Sequence, residues 1–123
     1  MNIFRKASYI RQINRCLGIK LYSWQKRYIF SKKEEMPNER HSGRALAHML
    51  RLCLSKGDKV EFNTMPAKGL SSANMETDYF CTGLQREGVR YVDYRNEYKR
   101  QLWMVYFRLK ENTHIKLREI SFT

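Results

Sequence analysis

The stretch RALAHMLRLCL at residues 44–54 decides the fold class. Leu46, Met49, Leu50, Cys53 and Leu54 stand at i, i+3, i+4, i+7 and i+8, the row that one face of an α-helix turns toward a core. Ala45 and Ala47 add helix propensity, and Gly57 stands beyond the row as a stop. The pattern then changes period. Val60 and Phe62 alternate with Lys59, Glu61 and Asn63, which is the signature of a brief strand.

Upstream of this helix, residues 31–42 are polar, contain Pro37 and show no period, so they read as a loop. Ser23 is a fair N-cap for a short helix through Phe30, with Trp24, Tyr28 and Ile29 on its apolar side. Residues 2–17 place Ile3, Phe4, Ala7, Ile10, Ile13 and Leu17 at three- and four-residue steps, an amphipathic helix closed by Gly18 in the left-handed C-cap position.

Downstream, residues 64–74 read as a second loop. Residues 75–87 read as a helix with Tyr79, Phe80 and Leu84, stopped by Gly88, and residues 89–92 as one more strand. Asp93 is placed to cap a long helix in which Tyr94, Tyr98, Leu102, Val105, Tyr106 and Leu109 keep helical spacing until Asn112 and Thr113 break it. A closing strand follows, with Ile115 and Leu117 alternating against Lys116 and Arg118, and with Ile120 and Phe122 out of phase by one residue. The expectation is an α+β fold, a mostly helical single domain over residues 1–123 with about five helices and a small two- or three-stranded sheet.

Composition supports a folded body. The chain has 123 residues, 42 % of them apolar and 13 % aromatic, which suits one core and excludes a disordered tail. Its charge is unusual. Twenty-four Lys and Arg face twelve Asp and Glu, a formal net charge of +12, and the first 33 residues carry nine basic side chains with no acid. Such an excess points to a negative partner, and charge by itself leaves nucleic acid, an acidic protein surface and an anionic membrane open. No run reaches the length of a membrane span. Cys16, Cys53 and Cys81 are odd in number, widely spaced and without a CxxC pair, so they read as reduced thiols of a cytoplasmic protein.

The segment from Leu21 to Leu54 carries a resemblance. Leu21-Tyr22-Ser23-Trp24-Gln25-Lys26 looks like the glutamine motif ahead of the P-loop in helicase-like and phage-terminase-like ATPases, and residues 38–45 align with G-x-x-x-x-G-K-S/T. The resemblance implies that Gln25 contacts adenine. It also implies a phage-encoded protein, cut down to the front of such an ATPase and acting in the host cytoplasm.

The motif is degenerate. Gly43 keeps the second glycine, but Asn38 replaces the first, Arg44 the lysine, and Ala45 has no oxygen for a metal. ATP hydrolysis, a cofactor and a catalytic residue are therefore not expected. Read without the resemblance, Trp24 and Tyr28 are core aromatics, Gln25 is solvated and Gly43 opens a helix. Under both readings Ser42, Gly43 and Arg44 form an anion site at a helix N-terminus, flanked by Arg40 and His41.

No His, Cys or carboxylate spacing presents metal ligands. In the last helix, Arg90, Arg95, Lys99, Arg100, Arg108 and Lys110 are interleaved with aromatics, although Tyr98, Leu102 and Tyr106 at helical spacing read first as core. The functional expectation is a non-enzymatic nucleic-acid-binding accessory protein. DNA or RNA phosphates would meet Arg5, Arg11, Arg15, Lys26, Arg27, Arg40 and Arg44. The alternative is a phage inhibitor of a host nucleic-acid enzyme, of the anti-CRISPR type, bound to a Cas ribonucleoprotein. A membrane partner is not expected.

Overall fold

The computed structural model describes residues 2–31, 43–61 and 94–122. The described residues are mostly helical. Four helices, α1 (Ile3–Leu17), α2 (Ser23–Phe30), α3 (Arg44–Leu54) and α4 (Tyr94–Asn112), accompany two short strands, β1 (Val60–Glu61) and β2 (Ile120–Ser121). The helix expected at residues 75–87, the strand at 89–92, the cap at Asp93 and the loops at 32–42 and 64–74 lie outside the described residues.

Backbone proximity divides the chain into two compact units, Met1–Ser55 with Val105–Leu117, and Lys56–Met104 with Arg118–Thr123. The core of the first unit joins Ile13, Leu21, Ile29, Leu50, Leu109 and Ile115, drawn from all four helices and two connecting segments. Burying each such aliphatic side chain contributes about 1.5–3 kcal/mol.

Local chemistry explains the helix ends. Asn2 caps α1 through its side-chain oxygen, which accepts the Arg5 N–H at 2.8 Å. Gly18 ends α1 at φ 65°, the left-handed conformation that glycine adopts without a Cβ penalty. Asn14 then fixes the turn, its backbone carbonyl accepting the Ile19 N–H and its side-chain oxygen the Leu21 N–H at 3.1 Å. This directs Leu21 into the core ahead of α2.

Two expectations about buried faces are corrected. In α1, Ile13 is fully buried and Ile10 and Leu17 pack beside it, but Ile3 and Phe4 are exposed. The core reaches α1 only from Tyr9 onward, and Phe4 stands on a different row from Ile10, Ile13 and Leu17. In α3, burial extends beyond the expected row to Ala47, His48 and Leu52. The helix also stops at its C-cap Ser55, whose hydroxyl donates to the Leu52 carbonyl, ahead of Gly57.

In the second unit β1 and β2 pair in parallel, with Val60 opposite Ile120 and Glu61 opposite Ser121. The Val60 N–H donates to the Glu119 carbonyl at 3.0 Å. The closing strand is shorter than expected. Ile115 enters the first unit's core while Arg118 is buried in the second unit, its Nε donating to the Asp58 carbonyl at 3.0 Å. Burial pulls the Arg118 pKa down, and the Asp58 charge opposes that shift. The one-residue phase slip between Leu117 and Ile120 thus falls where the chain passes from one unit to the other. Gly57 lies under this guanidinium, and a Cβ there would come within 2.9 Å of Arg118 Cζ.

Candidate nucleic-acid interface

One face of α1 and the end of α4 enclose a cleft of about 710 Å³ within the first unit. Its walls are Ser8, Arg11, Gln12, Arg15 and Cys16 from α1, Arg108 and Asn112 from α4, and His114 just beyond. Side-chain hydrogen bonds hold the two walls together. Gln12 is central to them, since its oxygen accepts the His114 N–H at 2.8 Å while its nitrogen donates to Ser8 Oγ at 3.2 Å. The Cys16 thiol donates to the Arg108 carbonyl at 3.3 Å, and the Asn112 amide donates to the same carbonyl at 2.9 Å. Tyr9 continues the series, its hydroxyl accepting the Lys116 N–H at 3.5 Å.

The electrostatics are one-signed. None of the eight lining residues is acidic, and the guanidinium-bearing side chains of Arg11, Arg15 and Arg108 are all exposed. Among the described residues, none of these three arginines takes part in an ion pair. Uncompensated cations around a concave surface concentrate positive potential there and attract anions.

The expected contact residues separate into groups. Arg11 and Arg15 come together in the cleft, joined by Arg108, which the sequence placed only in a general run of basic residues on the last helix. Arg5 is exposed and does not line the cleft, whose α1 wall begins at Ser8. Lys26 and Arg27 belong to α2 and Arg44 to α3, and none of the three lines it. Arg40, His41 and Ser42 lie outside the described residues.

At the start of α3 the geometry is specific. Gly43 is the N-cap, at φ 81°, and its carbonyl accepts the Ala47 N–H at 3.1 Å. The same carbonyl accepts a second hydrogen bond, from Gln25 Nε2 at 3.0 Å, while Gln25 Oε1 accepts the Tyr22 N–H at 2.8 Å. Gln25 is only 3 % exposed, so the reading of a solvated glutamine is corrected. Each end of its amide is engaged by the protein's own backbone. A Cβ on Gly43 would overlap Gln25 Nε2, so both left-handed geometry and close approach require glycine here.

Around this contact, Tyr28 is buried under the Arg51 guanidinium, 4.5 Å from its ring centre, and the half-buried Trp24 meets Tyr28 edge-on at 6.2 Å. His48, also on α3, is 2 % exposed. Its pKa is pushed down to about 4, by burial first and by the Arg51 charge second. His48 therefore belongs to the buried side of α3.

Cys16 and Cys53 are free thiols, while Cys81 lies outside the described residues. Among the described residues, no three His, Cys, Asp or Glu side chains gather as a metal set, and no helix is long and apolar enough to cross a membrane. No protein-family model, curated protein or solved structure matches the chain.

Proposed function

We propose that this chain is a non-enzymatic nucleic-acid-binding accessory protein, acting in the cytoplasm, whose main contact surface is the cleft between α1 and the end of α4. The supporting observation is the convergence of Arg11, Arg15 and Arg108 around one concave surface that contains no acid. The wider charge agrees, since a net +12 on a small protein favours a polyanion as partner. The degenerate P-loop resemblance agrees as well, because it describes a chain that meets nucleic acid without consuming nucleotide. Phosphate contacts of this kind position a backbone and carry little sequence information.

The test is a mobility-shift titration against salt, comparing the wild type with an R11E/R15E/R108E variant. Wild-type affinity should fall steeply with salt, and the variant should lose most of its binding. Any residual binding should have a log–log salt slope shallower by about two to three units. Because all three side chains are exposed, the variant should keep its helical circular dichroism. Equal binding by the two proteins, or none by the wild type at low salt, rejects the reading.

A further inference from the structure

We propose that the nucleic acid held by this cleft is a single strand, with Phe4 as the platform on which one of its bases stacks. The inference rests on the polyanion reading of the cleft and specifies the form of its ligand.

Phe4 is 83 % exposed, the most exposed large apolar side chain among the described residues. A phenyl ring left in water is not a core residue, and its position on α1 is informative. Phe4, Ser8, Arg11 and Arg15 stand at i, i+4, i+7 and i+11, one continuous row along the helix. Ser8, Arg11 and Arg15 line the cleft, and Phe4 extends the same row one turn beyond its mouth.

With a rise of about 1.5 Å per residue, Arg15 and Arg11 are separated by about 6 Å along the helix, and Phe4 stands about 10 Å past Arg11. The row therefore presents two cations and then an aromatic face over about 16 Å. A strand whose phosphates meet Arg15 and Arg11 carries its next bases to the ring of Phe4.

The shape of the site favours one strand over two. Its walls, α1 on one side and Arg108, Asn112 and His114 on the other, enclose only about 710 Å³, a space that one strand can enter and a double helix cannot. A duplex also keeps its base faces stacked inside, so an exposed ring beside the phosphate row offers it nothing. A single strand has free π-faces, and stacking on aromatic side chains beside a basic groove is how such strands are held without sequence preference. Recognition of this type accepts DNA or RNA, and any preference between them would come from contacts to the 2′-hydroxyl.

The experiment is fluorescence anisotropy with labelled oligothymidylate, oligouridylate and a duplex of equal length, at one salt concentration and then across several. Wild type should bind the single strands more tightly than the duplex. Phe4→Ala should weaken single-strand binding by about five- to a hundredfold, with the salt slope and duplex affinity unchanged. Phe4→Trp should restore single-strand binding. If Phe4→Ala binds single strands like the wild type while R11E/R15E/R108E does not bind, the single-strand proposal falls and the polyanion reading stands. A duplex bound as tightly as the single strands also overturns the proposal. If the charge reversals change nothing either, the reading beneath it fails as well.

Discussion

The side chain of Gln25 reaches from the start of α2 to the start of α3, donating from Nε2 to the Gly43 carbonyl at 3.0 Å while Oε1 accepts the Tyr22 N–H at 2.8 Å. Gln25 and Gly43 also fill each other's space, because the volume a Cβ would need on Gly43 is occupied by the Gln25 amide. One buried side chain therefore closes two helix starts.

Gln25→Ala should destabilise the protein by about 1–3 kcal/mol, the loss of two hydrogen bonds to the backbone at about 0.5–1.5 kcal/mol each. Gly43→Ala should also destabilise it, by about 1–2 kcal/mol for the left-handed backbone plus the cost of displacing Gln25. The two changes should not add. Once Gln25 is truncated the overlap is gone, so Gly43→Ala should cost less in the Gln25→Ala background. Urea denaturation of the two single variants and the double variant measures that coupling, and simple additivity would contradict the geometry.

His48 should make stability depend on pH. Folding holds it neutral with a pKa pushed down to about 4, while the unfolded chain takes up a proton near the ordinary value of 6.5. Its contribution is complete above about pH 6.5 and is lost as pH falls toward 4, amounting to about 3 kcal/mol at the lower end. Melting temperature followed from pH 7 to pH 4 should drop in the wild type. In His48→Gln the same scan should be flatter, whatever the absolute stability of that variant.

Two thiols should react very differently. Cys53 is fully buried, and burial pushes its pKa up to about 12, so it should resist alkylation until the protein unfolds. Cys16 is half-buried at the cleft and should be modified in the native state. In a Cys81→Ser background, peptide mass mapping after brief alkylation should find the label on Cys16 and not on Cys53. Bound oligonucleotide should slow the labelling of Cys16, which checks the cleft without mutating an arginine.

The helices at both ends of this picture could be read from the sequence, because apolar residues at helical steps and a terminal glycine depend on local chemistry alone. Leu50, Cys53 and Ile13 fall where the spacing put them, and Gly18 adopts the left-handed conformation that its place after Leu17 called for. The cleft could not be read in the same way. Period identifies the buried face of a helix but not the element that will cover it, so nothing in residues 2–17 announced Arg108 as a neighbour of Arg11 and Arg15. The buried, backbone-bonded role of Gln25 was hidden for a related reason. The residue is polar, stands between Trp24 and Tyr28, and contributes nothing to an apolar row. The available clue was its place three residues after Tyr22, where a glutamine can reach back to a helix-start N–H. The phase slip before Ile120 was visible in the sequence, but its meaning required the boundary between the two units.

Within α1, the side chains that fasten the helix and those that greet solvent stand on separate rows. Tyr9, Gln12 and Cys16 grip the end of α4 and the segment after it, and Ile10, Ile13 and Leu17 fill the core. Phe4, Arg11 and Arg15 contribute to neither task. Substitutions at these three positions can therefore alter what the protein recognises while its scaffold stays intact, which makes one helix row a surface on which binding preference can be rewritten.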